Sequence, residues 1–195
     1  MRDNDRRDAT PLGAAANAQG YVIHEGCDHI FFVGFLGAGK STIARNLGRM
    51  FHRPYVDTDR LAERICHCDL ADVYATQGEE AFRDAETQAL HSLIARKSLL
   101  VRCGGGIVER PENVELMHQM GVVLFLDGDL DDSLRQIQRT DRRPDLGTRL
   151  EAERLYARRR PLYEAASDYS VSITNRTFEE VAQAAGELLW EKGLL

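Results

Sequence analysis

The segment Gly34-Phe35-Leu36-Gly37-Ala38-Gly39-Lys40-Ser41 sets glycines, a lysine and a hydroxyl in the spacing of a phosphate-binding loop. Glycines let backbone N–H groups turn inward around phosphate oxygens, and a helix starting at the end of the loop adds partial positive charge. Lys40 is placed to reach the β- and γ-phosphates, and the Ser41 hydroxyl to ligate Mg²⁺. Of the 25 basic residues only Lys40, Lys97 and Lys192 are lysines. A chain that otherwise uses arginine keeps lysine where a compact ammonium must fit between phosphates.

Two further clusters carry chemistry. Asp57-Thr58-Asp59 ends a strand candidate, so two carboxylates emerge together at the edge where open α/β sheets bind ligands. One of them can face Mg²⁺ and the other a substrate hydroxyl, as general base or orienter. Gly104-Gly105-Gly106 follows another strand candidate and offers backbone that a ligand can approach closely. No acid lies between Leu99 and Ile107, which makes Asp57 the metal candidate.

The elements that must position these groups are legible in the hydrophobic pattern. Strand-length apolar runs fall at Ile30 to Val33, Tyr55-Val56, Leu99 to Val101, Val122 to Leu126 and Tyr169 to Ile173. Most do not alternate, as expected of strands covered on both faces. Between them, helical spacing links Ile43, Leu47, Met50 and Phe51, and again Phe82, Ala85, Ala89 and Leu93. Pro111 opens a helix running to about Met120. A last helix runs from Phe178 to about Lys192 and stops near Gly193. This alternation predicts an α/β fold in three layers: a five-stranded parallel sheet with helices on both faces.

The 195 residues suit one domain, and the first 27, which show no sustained period, read as a mobile arm ahead of a domain over 28–195. Apolar runs are far too short for a bilayer span, and a net charge of −6 argues against a nucleic-acid footprint. Four cysteines in a chain of this size need not be a disulfide framework, so a reduced cytoplasmic setting is expected. Cys66-His67-Cys68 lacks zinc-ligand spacing. Cys103 reads as a packed apolar residue, and Arg158-Arg159-Arg160 as a solvated helix face from which only a motif singles out Arg160.

Taken jointly, the sequence resembles the shikimate kinases, P-loop enzymes of the nucleoside-monophosphate-kinase-like group. The motifs that carry the resemblance are GxxGxGKS at Gly34 to Ser41, DTD at Asp57 to Asp59 and GEExFRxxE at Gly78 to Glu86. GGG at Gly104 to Gly106, Arg143-Pro144 and RPLY at Arg160 to Tyr163 complete the set, in the family's order over about residues 29–192. The resemblance implies ATP-dependent phosphorylation of the 3-hydroxyl of shikimate, on the route to chorismate and aromatic amino acids, by a monomer with Mg²⁺. It also implies ATP contacts along Gly37, Ala38, Gly39, Lys40, Ser41 and Thr42, with Arg139 and Arg176 flanking the adenine. Arg83 and Arg160 would hold the substrate carboxylate, Asp59 its hydroxyls, and Gly104, Gly105 and Gly106 would line the same pocket. A lid over about 140–149 would bring Arg143 or Arg142 to the phosphates. Pro144 favours Arg143, because it holds the preceding residue extended. With Lys40 and Asp59, Arg143 makes the expected catalytic set. The competing readings are a P-loop kinase for gluconate or a nucleoside monophosphate, and a non-catalytic binding regulator.

Overall fold

The computed structural model describes residues 29–137 and 148–195 together with two short N-terminal strands, β1 (Ala15–Ala16) and β2 (Val22–Ile23), which pair antiparallel. The remainder of the expected arm lies outside the described residues. So do residues 138–147, which hold Arg139, Arg142, Arg143 and most of the expected lid.

Five strands, β3 (His29–Val33), β4 (Tyr55–Asp57), β5 (Leu100–Arg102), β6 (Gly121–Asp127) and β7 (Tyr169–Ser172), form one parallel sheet in the order β4-β5-β3-β6-β7. The parallel pairing explains the unbroken apolar runs, since both faces are covered. Side chains of β3 alternate between two cores. Ile30 and Phe32 pack with α1 (Lys40–Met50) and α7 (Phe178–Glu191), through Ile43, Leu47, Val181, Ala185 and Leu189. Phe31 and Val33 meet the opposite layer: α3 (Leu70–His91), α4 (Pro111–Met120) and α6 (Arg149–Ala166), through Leu90, Met117 and Tyr163. Each fully buried Leu, Ile or Phe here stabilises the fold by about 1.5–3 kcal/mol.

Element ends follow local chemistry. Thr148 and Thr177 cap α6 and α7, each bonded to the backbone N–H of the glutamate three residues on, which reaches back in turn. The chain bends at Gly78, which interrupts the helical backbone of α3. The expected helical run through Leu93 ends at His91, and Leu93 is buried from the following turn. Two helices that the pattern did not separate, α2 (Thr58–Cys66) and α5 (Leu130–Ile137), complete the described helices, with a 3₁₀ turn over Ile107–Glu109. Cys103 is buried beside Met117, as expected of a packing residue.

Candidate active site

The phosphate loop joins β3 to α1 at the carboxyl end of the sheet. Gly39 sits at φ 84°, a left-handed conformation that glycine adopts without strain. A Cβ there would also lie 2.4 Å from the Phe178 ring, because the start of α7 packs directly onto the loop. No side chain caps α1 and its first turn carries no acid, so the positive end of the helix faces the loop. Lys40 is buried, and its Nζ donates to the carbonyls of Gly34 at 2.7 Å and Phe35 at 2.8 Å. Its ammonium therefore lies across the cradle that Gly37, Ala38, Gly39, Ser41 and Thr42 complete. Arg176 is exposed two residues before Phe178 on the β7–α7 connection, at the loop's end of the molecule.

The carboxylate pair is arranged differently from a simple strand end. Strand β4 stops at Asp57, whose Oδ1 caps α2 by accepting from the N–H groups of Asp59 and Arg60. The first two residues of α2 then bring Asp59 to the same guanidinium that holds Asp57. Arg102, at the end of β5, donates from Nη1 to Asp57 Oδ1 at 3.1 Å and to Asp59 Oδ2. Arg102 is 5% exposed. Its two carboxylates outweigh the burial that opposes its charge and raise its pKa. The sequence carried a signal for it: an arginine inside an apolar strand is buried only if paired. Asp59 Oδ1 is buried and has no hydrogen-bond partner among the described residues, which leaves an acceptor aimed at whatever fills the pocket.

Gly104, Gly105 and Gly106 floor that pocket. A Cβ on Gly104 would lie 2.5 Å from Glu86 Oε1 and 2.6 Å from Asp59 Oδ1, and one on Gly106 would lie 2.1 Å from Arg83 Nη1. Side chains here would close the space in which the ionisable groups converge. Arg83 donates to Glu86 at 2.6 Å and Glu79 at 3.2 Å, and also to Glu109. Burial pushes the Glu86 carboxyl up to about 7 against the pull of Arg83. Burial would likewise raise Glu109, but Arg159 and Arg83 overcome it and hold that carboxyl below its usual range.

Arg160, expected beside Arg83, is not there. It pairs with Asp127 at 2.6 Å, Tyr156 at 3.0 Å and Glu164 at 2.9 Å, on another side of α6. Its neighbour Arg159 is buried at the glycine floor: a Cβ on Gly105 would lie 3.3 Å from Arg159 Nη1, and Arg159 Nε donates to Glu109 at 3.2 Å. Successive helical residues point about 100° apart, so one position decides which arginine faces in. Tyr163, one turn on, fixes this face by donating to Gly105 O at 2.5 Å. The structure thus brings together Asp59, Arg83, Arg159 and the glycines, and it turns Arg160 away.

Ser41 and Asp57 supply oxygen donors of the kind Mg²⁺ takes. Both meet the Tyr55 hydroxyl, which donates to Asp57 Oδ2 at 3.2 Å. Asp57 is already compensated by Arg102, and these two oxygen donors would hold Mg²⁺ beside the phosphate loop.

Residues 36–189 match the family model described as "SKI: Shikimate kinase". This chain belongs to the shikimate kinase family. It is 36% identical over 167 residues to the shikimate kinase of Vibrio campbellii, a match covering 84% of this chain and 97% of that one. The shikimate kinase from Acinetobacter baumannii, solved in complex with shikimate, superposes with a TM-score of 0.79 at 29% identity, over 88% of this chain and 97% of that one. A gluconokinase from Sinorhizobium meliloti 1021 is similar at a TM-score of 0.53 and 16% identity over 85% of this chain, a likeness of fold alone. The expected fold, a three-layer P-loop kinase with a five-stranded parallel sheet, is borne out.

Proposed function

We infer that this member of the shikimate kinase family transfers the γ-phosphoryl group of ATP to the 3-hydroxyl of shikimate, and that it reads the substrate through Asp59, Arg83, Arg159 and the glycine floor. The observation that carries this reading is the unpartnered Asp59 Oδ1, set with Glu86 against Gly104, while the buried Arg159 and Arg83 lie against the neighbouring Gly105 and Gly106. A hydroxylated ring acid needs both parts: fixed guanidinium forks for its carboxylate and a carboxylate acceptor for its hydroxyls.

In this account Asp59 Oδ1 accepts the hydrogen bond of the attacking hydroxyl while Arg102 fixes Oδ2, so the acceptor cannot rotate away. Lys40 moves its donors from the Gly34 and Phe35 carbonyls to the transferring phosphate, where charge develops. Mg²⁺, which Ser41 and Asp57 would hold, would neutralise phosphate charge. The adenine contacts of Arg139 and Arg176, the phosphate contact of Arg143, the lid over about 140–149, the arm over 1–27, a monomeric state and a cytoplasmic location belong to the same reading. Among the described residues no helix is long and apolar enough to cross a membrane.

The test is a coupled ADP-release assay with Mg²⁺ and ATP, run in parallel with shikimate, gluconate and the nucleoside monophosphates. Release above background is expected with shikimate. Release only with another acceptor overturns the substrate, and none with any acceptor favours a non-catalytic binder.

A further inference from the structure

Glu109 lies three residues after Gly106, at the end of the 3₁₀ turn Ile107–Glu109. Its carboxylate is held by the arginines that face the pocket. Oε1 accepts from Arg159 Nε at 3.2 Å, and Oε2 accepts from Arg159 Nη2 at 3.3 Å and from Arg83 Nη2. The side chains of Arg83 and Arg159 are 9% and 10% exposed. This two-oxygen clasp by buried guanidinium groups is what an incoming carboxylate would need, and here a residue of the chain itself fills it. Oε1 also accepts from Arg158 Nη2 at 2.7 Å, and Arg158 is 60% exposed.

We propose that Glu109 occupies the anion subsite of the unliganded protein and yields Arg83 and Arg159 to the carboxylate of the substrate, staying tethered to Arg158. Glu109 is then an affinity- and specificity-determining residue. An uncharged polyol has nothing to offer the arginines in exchange for Glu109, whereas a carboxylate replaces the lost contacts one for one. The exchange leaves Glu109 with a solvent-exposed partner, and such pairs stabilise weakly. Ligand affinity is lowered by that difference. The proposal rests on the substrate reading above only in naming shikimate as the carboxylate.

The experiment is isothermal titration of the full chain with shikimate and, separately, with cyclohex-1-ene-1-carboxylate, which has the acid but none of the hydroxyls. Glu109→Gln is expected to bind both about tenfold more tightly than wild type, equivalent to about 1.4 kcal/mol. Glu109→Asp, whose shorter arm cannot span both arginines, should shift the same way and serves if Glu109→Gln fails to fold. Arg158→Ala, which removes the tether, should bind both ligands about threefold more weakly. Unchanged or weaker binding by Glu109→Gln and Glu109→Asp would overturn the proposal and make Glu109 a brace for the arginines. If wild type binds the simple acid but not shikimate, and Glu109→Gln binds that acid more tightly, the subsite stands and the substrate reading falls.

Discussion

Glu86 gives the sharpest stability prediction. It is 1% exposed at the pocket wall, and burial raises its carboxyl from 4.5 to about 7. In the window between those values the folded protein holds a proton that the unfolded chain has released. The unfolded state binds fewer protons there, so stability falls as pH rises through the window, and it is level below and above it. The gap corresponds to about 3 kcal/mol, most of which is lost between pH 5 and 8. With a urea m-value of about 2–3 kcal/mol/M for a chain of this size, that is about 1 M in midpoint. Glu86→Gln keeps the shape and an acceptor for Arg83 but cannot titrate. Urea unfolding of wild type and variant at pH 5, 6, 7 and 8 isolates the residue, because other titrations cancel in the difference. Wild type should lose about 1 M relative to Glu86→Gln from pH 5 to pH 8. Parallel midpoints across that range would refute the argument, and would mean that Arg83 keeps Glu86 ionised throughout.

The other expectations can be checked on single variants. Lys40→Met should lower kcat by at least about 100-fold with the fold intact, since its charge acts on the transferring phosphate; steady-state rates with circular dichroism decide this. Arg159→Ala should weaken shikimate binding by about 2–5 kcal/mol while Arg160→Ala stays within about threefold; the reverse in titration calorimetry would restore Arg160 to the pocket. Arg102→Met strands two carboxylates. Removing one partner of a buried pair costs about 3–5 kcal/mol, reduced here because the Asp59 side chain is 32% exposed. A Tm lower by about 5–15 °C is expected by calorimetry, and an unchanged Tm would show that Arg102 compensates neither acid.

What the sequence made legible follows from which interactions are local. The phosphate loop, the Pro111 helix start and the covered strands rest on backbone chemistry within a few residues. They appear in the structure within a residue or two of where the pattern puts them. Arg159, Arg102 and Glu109 escaped because their roles depend on contacts between distant segments. By sequence Arg159 is one of three arginines on a solvated helix face, and only the packing of α6 on the 3₁₀ turn decides which of them points inward. The placement of Arg102 against Asp57 and Asp59 depends on β4 and β5 being neighbours, with Asp57 and Arg102 in register. The Asp57–Asp59 pair is legible as a unit, but its local basis differs from a strand end. The start of α2, not a continuing strand, brings the two carboxylates together.

On the proposed reading, the pocket holds a carboxylate through Arg83 and Arg159 while Asp59 takes a hydroxyl. The direct measurement is kcat/KM for shikimate against its methyl ester, in wild type and in Arg159→Ala. Esterification removes the charge and leaves the hydroxyls, so wild type should lose at least about 30-fold, the lower end of what truncating one partner of a desolvated charge pair costs. Arg159→Ala should discriminate between acid and ester by only a few-fold. Equal turnover of acid and ester by wild type, or undiminished discrimination in Arg159→Ala, would contradict it.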